Sequence, residues 1–232
     1  MRHTLVVLVA ALMLAACASP PEPPRRHYIL LFDETSSMNP VDLETAKRLL
    51  SDGVISILRE GDRIAVLTIT ESSYTVSEPV VVSRLVVSGR YLDPATDSVN
   101  AAIRDAIRQR VASIRISPKH HKTDIYGALA RIGILFTEDT LSSKILIIVS
   151  DLEDNVARGG IMDQVSFRGV RVYSLFASHT FSGIKDDFLA FRAKKQYWQD
   201  LFHKAGATNT FVCDRDTSPL KMDWLVEQIQ GE

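Results

Sequence analysis

The chain has 232 residues, which suits one globular domain with a sizeable core rather than two once its first few residues are set aside. A hydrophobic content of 46%, a charged content of 24% and a formal net charge of -1 exclude a disordered chain. They also leave no general electrostatic attraction to nucleic acid.

The N-terminus differs from everything after it. Arg2 and His3 precede an apolar run over residues 5–14, short of the roughly 20 residues that a membrane-spanning helix needs, so the run predicts a targeting segment removed on export. It ends in Leu14-Ala15-Ala16-Cys17, which resembles the lipobox of bacterial lipoproteins. That resemblance implies cleavage before Cys17 and a lipid on its sulfur. Ala18, where an Asp would favour the inner membrane, implies an outer-membrane anchor with the domain facing the periplasm. The alternative is an ordinary secretory signal with an incidental cysteine. The prolines of Pro20-Pro21-Glu22-Pro23-Pro24 forbid helix and favour a stiff tether; at about 3.1 Å per residue it holds the domain within roughly 30 Å of the membrane. The expected division is a signal peptide at 1–16, a lipidated cysteine and tether at 17–26, and one domain at 27–232. Cys213 then has no intrachain partner, and in Thr210-Phe211-Val212-Cys213 it reads as a small apolar filler of a strand.

From residue 28 onward apolar runs alternate with amphipathic stretches. Residues 28–32 form a continuous apolar run of the kind that a parallel sheet buries on both faces. Pro40 stands where a first helical turn accepts it, and Leu43, Ala46, Leu49, Leu50, Val54 and Leu58 recur at helical spacing. Glu60-Gly61-Asp62 turns the chain into a strand at 63–70, and the short link Glu71-Ser72-Ser73 predicts a hairpin with the β-rich stretch 74–87. Helices are expected at 97–114 and 124–136, and strands at 144–149 and 169–176. Helical stretches at 183–204 and 219–230 flank a short last strand at 209–213. Strands alternating with helices of this length specify a doubly wound α/β fold: a mostly parallel sheet with one antiparallel edge strand and helices on both faces.

Ligands of such sheets bind beyond the carboxyl ends of the strands. After the first strand stand Asp33-Glu34-Thr35-Ser36-Ser37, whose i, i+2, i+4 spacing lets Asp33, Thr35 and Ser37 aim three oxygens at one point. After the strand at 144–149 stands Asp151, in Ser150-Asp151-Leu152-Glu153-Asp154-Asn155. Carboxylates with hydroxyls and no histidine make an all-oxygen set, suited to a hard cation such as Mg²⁺ or Mn²⁺ rather than zinc. The opening segment resembles the Asp-x-Ser-x-Ser motif of the metal-ion-dependent adhesion site in von Willebrand factor type A domains. Lys122-Thr123-Asp124-Ile125-Tyr126-Gly127 resembles the loop that carries the family's single threonine, and the segment ending at Asp151 resembles its fourth strand. The resemblance runs from about Tyr28 to Ile229. It implies Asp33, Thr35, Ser37, Thr123 and Asp151 as metal ligands, direct or through water, and a Glu or Asp of a partner protein to complete the octahedron. Two departures stand out: Thr35 replaces a serine and keeps the hydroxyl, and Ser36 replaces a common glycine.

Taken singly, each of these residues is also what caps and turns favour. A hydrolase would need Ser36 or Ser37 beside one of His120, His121, His179 or His203, but no Gly-x-Ser-x-Gly elbow surrounds either serine. A phosphatase with an aspartyl nucleophile would want a carboxylate where Thr35 stands. His120-His121, between lysines, reads as a solvated bend. Phe188, Phe191, Tyr197, Trp198, Leu201 and Phe202 form an apolar helical stripe expected to face the core. The expectation is therefore a membrane-tethered binding domain without catalysis, holding a partner's carboxylate through Mg²⁺. The alternative is a metal-independent structural subunit of an envelope assembly.

Overall fold

The structure is a computed structural model that describes residues 25–76, 79–88, 93–139, 143–156, 161–180 and 183–230. Cys17, the signal segment and the tether up to residue 24 lie outside them. The apolar runs become six strands: β1 (Arg26–Asp33), β2 (Arg63–Ile69), β3 (Val81–Arg84), β4 (Ser143–Val149), β5 (Val170–Ala177) and β6 (Asn209–Asp214). They form one sheet in the order β3-β2-β1-β4-β5-β6, parallel throughout except for β3, which runs antiparallel to β2 at the edge.

Every residue of β1 and of β5 is buried, which is why these segments read as unbroken apolar runs rather than alternating ones. Successive side chains divide between two cores. Tyr28, Leu30 and Phe32 face one layer with Ile145, Ile147 and Val149, covered by Leu43, Ala46 and Leu50 of the helix Pro40–Leu50, by Ile107 and Val111 of the helix Pro94–Ser113, and by Leu225 and Ile229 of the helix Met222–Gln230. Ile29 and Leu31 face the other layer with Leu146 and Ile148, under the helices Ile125–Thr137 and Asp187–Lys204. Each fully buried Leu or Ile contributes about 1.5–3 kcal/mol, so the central strands hold the sheet together.

From β1 the chain moves outward to β2 and β3, then returns to β4 on the other side and moves outward to β5 and β6. The connections leaving β1 and β4 thus diverge over the middle of the sheet and open a crevice there.

Several boundaries differ from expectation. The first helix ends at Leu50 and continues as one wider π turn, Ser51–Ile55, which carries Val54 and Ile55 into the core. The second helix begins at Pro94, three residues earlier than its apolar pattern predicted, because Asp93 caps it by accepting from the Ala95 amide at 3.1 Å. The link after β2 is a helical turn, Ser73–Val76, and the antiparallel strand begins only at Val81. Ser73 is the cause: its hydroxyl accepts from Thr70 N at 2.9 Å, which bends the chain where a tight hairpin would have kept it extended. Cys213 is buried as a strand filler. Phe188 is not core: it is 73% exposed, whereas Trp198 and Phe202 of the same helix are buried.

Candidate metal-binding site at the carboxyl edge of the sheet

The crevice brings together the sequence-predicted residues from separate parts of the chain. Asp33 ends β1 and is fully buried; its Oδ1 accepts from the Thr35 amide at 2.9 Å and from the Thr35 hydroxyl at 2.6 Å, an Asx-type turn that folds the loop back over the strand end. Thr35 Oγ1 then lies 3.0 Å from Ser37 Oγ and 2.8 Å from Thr123 Oγ1, and Ser37 Oγ lies 3.3 Å from Thr123 Oγ1. Asp151 lies beside this cluster, where the Ser37 hydroxyl helps to hold its carboxyl down and its charge acts on Asp33. All five residues thus meet at one place in the crevice.

Backbone contacts hold the loops in place. Ser36 N donates to His120 O at 3.0 Å, Ser117 N to Glu34 O at 2.8 Å, and Asp124 N to Thr70 O at 3.0 Å. Thr123 is fixed reciprocally by Asn155: its amide donates to Asn155 Oδ1 at 2.7 Å while the Asn155 amide donates to Thr123 O at 3.1 Å. Asp154 Oδ1 accepts from Ile125 N at 2.7 Å and so caps the same helix that Asp124 caps through Gly127 N at 2.9 Å.

Two supporting residues escaped the sequence reading. Ser150 is buried and donates to Asp33 Oδ2 at 2.8 Å while accepting from Leu152 N at 3.0 Å, so it couples the ends of β1 and β4. Its signal was its place immediately before Asp151. Lys194, from the middle of the helix Asp187–Lys204, is 1% exposed, and its ammonium donates to Asp151 O at 3.0 Å, Ser178 Oγ at 2.6 Å and Glu153 Oε1 at 3.2 Å. Its signal was a lysine in an apolar stripe. Leu152, with φ +59°, takes a left-handed conformation that costs a non-glycine residue about 1–2 kcal/mol. That turn swings Glu153 and Asp154 across the top of the site.

The electrostatics follow from burial. Asp33 is pushed up to about 7, first by loss of water and then by the neighbouring Asp151 carboxylate. Asp151 is raised as well, chiefly by burial. The hydroxyl cluster has a related deficit. Its four oxygen–oxygen contacts, Thr35 with Asp33, Ser37 and Thr123, and Ser37 with Thr123, share only three hydroxyl protons. Oxygens outnumber the protons that could join them, which is the condition a cation relieves. The donor set is hard and all oxygen, which fits Mg²⁺ or Mn²⁺. Among the described residues no cluster of three or more His, Cys, Asp or Glu side chains occurs, so the set differs from a carboxylate-rich or histidine-rich centre. Ser37 is exposed, and a cleft of about 180 Å³ opens beside it, lined in part by Asp151, Glu153, Ser178 and Arg215.

The expected bland role of His120-His121 fits a bend whose backbone, not its imidazoles, supports the Ser36 loop. His179 lies 3.6 Å from Asp214, and among the described residues no hydrogen bond joins the imidazole of His120, His121, His179 or His203 to the side chain of Ser36 or Ser37.

No family model and no curated protein matches the chain. Solved structures do. The conserved hypothetical protein BatB from Bacteroides thetaiotaomicron superposes with a TM-score of 0.54 at 16% identity, over 88% of this chain and 97% of that one. The PilB minor pilin from Streptococcus sanguinis gives 0.57 at 11%, over 91% and 63%. Proximal thread matrix protein 1 from the mussel byssus gives 0.55 at 12%, over 88% of this chain; the chain spans only 46% of that protein's length. Such identities establish the fold: a von Willebrand factor type A-like α/β domain with a six-stranded, mostly parallel sheet between two helical layers.

Proposed function

We propose that this domain binds a protein partner through a divalent cation held by Asp33, Thr35, Ser37, Thr123 and Asp151, with no catalytic step. The observation that carries this reading is the convergence of five side chains from three loops on one oxygen cluster short of protons. Asp33 and Asp151 would supply the negative charge, and the three hydroxyls the neutral donors. Two carboxylates only just balance the charge of Mg²⁺ or Mn²⁺, and with neutral hydroxyls as the other donors a bound cation would keep a Lewis-acidic position for an external carboxylate. The cleft beside Ser37 leaves room for that group.

The surroundings suit a protein partner with an exposed Glu or Asp. Val41, Phe188, Leu189 and Leu220 are 71%, 73%, 52% and 78% exposed. Each belongs to the first helical turn after β1, β5 or β6, on the same edge of the sheet as the site. Apolar side chains around a charged centre are what an interface core uses. With Cys17 as lipid anchor, the domain would serve as an envelope adaptor, facing the periplasm from the outer membrane.

The test is thermal unfolding of the domain from Arg26 onward, which contains both cores, with and without Mg²⁺ and Mn²⁺. At free metal a hundredfold above Kd, binding to the native state adds about 2.7 kcal/mol, which for a domain of this size is a rise of roughly 5–10 °C in Tm. Asp33→Ala should abolish the rise. If the wild-type domain ignores both metals through the millimolar range, the metal-bridged mechanism fails and a metal-independent structural subunit becomes the reading.

A further inference from the structure

A second cavity, of about 500 Å³, lies beside the first. The two share Glu153 and Thr180, so they form one continuous depression along the edge of the sheet. One side of the larger cavity is aromatic. Trp198 stacks on Tyr126 with ring centroids 5.6 Å apart, and Tyr197 meets Trp198 edge-on at 5.6 Å. The two tyrosine hydroxyls are hydrogen-bonded to each other, which joins the helices Ile125–Thr137 and Asp187–Lys204 across the cavity floor. The Trp198 indole N–H is spent on Leu152 O at 3.2 Å and its ring is buried between Tyr126 and Phe202, so the aromatic surface open to a ligand is that of Tyr126 and Tyr197, with Trp198 packed behind them.

The polar lining consists of Glu153, Asp154 and Lys194. Lys194 is no anion receptor: its three N–H groups already serve Asp151 O, Ser178 and Glu153, and it is 1% exposed. Glu153 is the opposite case. The bonds from Lys194, Ser178 and Thr180 all fall on Oε1, and no hydrogen bond from a described residue reaches Oε2. Asp154 stands beside it, partly exposed, with Oδ1 on the Ile125 amide. The cavity therefore presents carboxylate acceptors and aromatic faces, with its one cation already neutralised.

We infer that this cavity is a second recognition site, for the guanidinium of an arginine on the same partner that offers a carboxylate to the Asp33–Asp151 site. A planar guanidinium stacks on the phenol faces of Tyr126 and Tyr197 while its N–H fork reaches a carboxylate, so one side chain uses both halves of the lining. The link to one partner rests on the metal-site reading; guanidinium binding itself does not.

The experiment follows the two indole N–H resonances of the domain by NMR while N-acetylarginine methylamide is added in the presence of a chelator. Trp198 lines the cavity and Trp224 packs against Phe211 elsewhere, so one resonance reports and the other is the control. The expected result is a saturable shift of Trp198 alone. The citrulline analogue, isosteric but uncharged, should bind about tenfold more weakly. Glu153→Gln should lose a similar factor. Tyr197→Leu, which leaves the Lys194–Glu153 pair intact, should weaken binding too. Equal binding of the arginine and citrulline probes, or no movement of Trp198, overturns the inference whatever the metal titration gives. If the arginine probe binds but a peptide bearing both Arg and Glu gains nothing from Mg²⁺ over either residue alone, the shared-partner half is overturned while the guanidinium site stands.

Discussion

At the scale of single residues, Ser150 decides how well Asp33 is prepared. Its hydroxyl is the partner of Asp33 Oδ2 and also receives the Leu152 amide. Ser150→Ala removes both contacts in a buried place, leaving an acceptor and a donor unpaired, and should cost about 1–3 kcal/mol in chemical denaturation. It should also shrink the metal-induced rise in Tm; a variant as stable and as metal-responsive as wild type would sink the role. At the opposite end of β1, His27 is buried with Nδ1 2.6 Å from Asp139 Oδ2. Burial, reinforced by Arg63 and Lys144 and opposed by Asp139, lowers its pKa from 6.5 to about 4. A depressed histidine pKa means that the unfolded chain takes up the proton first. The native state is then fully favoured above pH 6.5 and loses stability as pH falls from 6.5 toward 4, by at most about 3 kcal/mol. His27→Gln should flatten that decline, which urea midpoints measured across the window would show. Asp33, Thr35 and Ser37 were legible in the sequence because one short turn carries all three oxygens. Asp151 was legible from its place just after an apolar strand, whereas Thr123 was legible only by resemblance, since nothing in its local spacing says which distant loop it meets. Ser150 and Lys194 were not legible, because their roles arise only once β1, β4 and the Asp187–Lys204 helix are packed together.

At the scale of elements, the helix Ile125–Thr137 depends on its glycine in an unusual way. Asp124 caps the helix by curling its carboxylate over Gly127, and a Cβ at position 127 would sit closer to that carboxylate than any real Cβ does. Elsewhere in a helix Gly→Ala gains up to about 1 kcal/mol. Here the sign should reverse: Gly127→Ala displaces the cap, costs about 1–2 kcal/mol, and loosens the loop that carries Thr123, so metal response should fall with stability. A stabilised variant on thermal unfolding would contradict this. The parallel strands and the helices that cover them were readable because their apolar runs and periods are long and unmixed, whereas the order of the strands within the sheet was not read. The second helical start and the link after β2 were misjudged because side-chain caps, Asp93 and Ser73, set them rather than hydrophobic period. Phe188 was misread for geometric reasons: ten residues from Trp198, it points about 80° away from it around the helix, whereas Phe202 lies about 40° away.

At the scale of the whole molecule, the proposed attachment and the proposed recognition site would lie at opposite ends of the sheet. The chain enters at Arg26, the first residue of β1, and the site begins at Asp33, the last. Eight residues of strand at about 3.3 Å each place roughly 26 Å between the two ends. Charge is divided the same way. Arg63 and Arg84 pair in register at the entry end, with Lys144 at the start of β4 and exposed Arg168 just before β5. Asp33, Asp151, Glu153, Asp154, Asp186 and Asp214 stand at the other end. If the domain is anchored through Cys17 and the residues before β1, as proposed, an anionic lipid surface would pull it base first, with its site turned outward, at ionic strengths low enough for the attraction to act. Single fluorophores on lipidated protein in anionic vesicles carrying a headgroup quencher test this. A dye at Arg84→Cys should be quenched, and one at Glu71→Cys, in the exposed turn after β2, should not. The contrast should fade as salt is raised. Equal quenching at both positions would mean that the tether alone sets the geometry and the charge division does not orient the domain, and a Cys17→Ser chain that still pellets with membranes would remove the anchor from the account altogether.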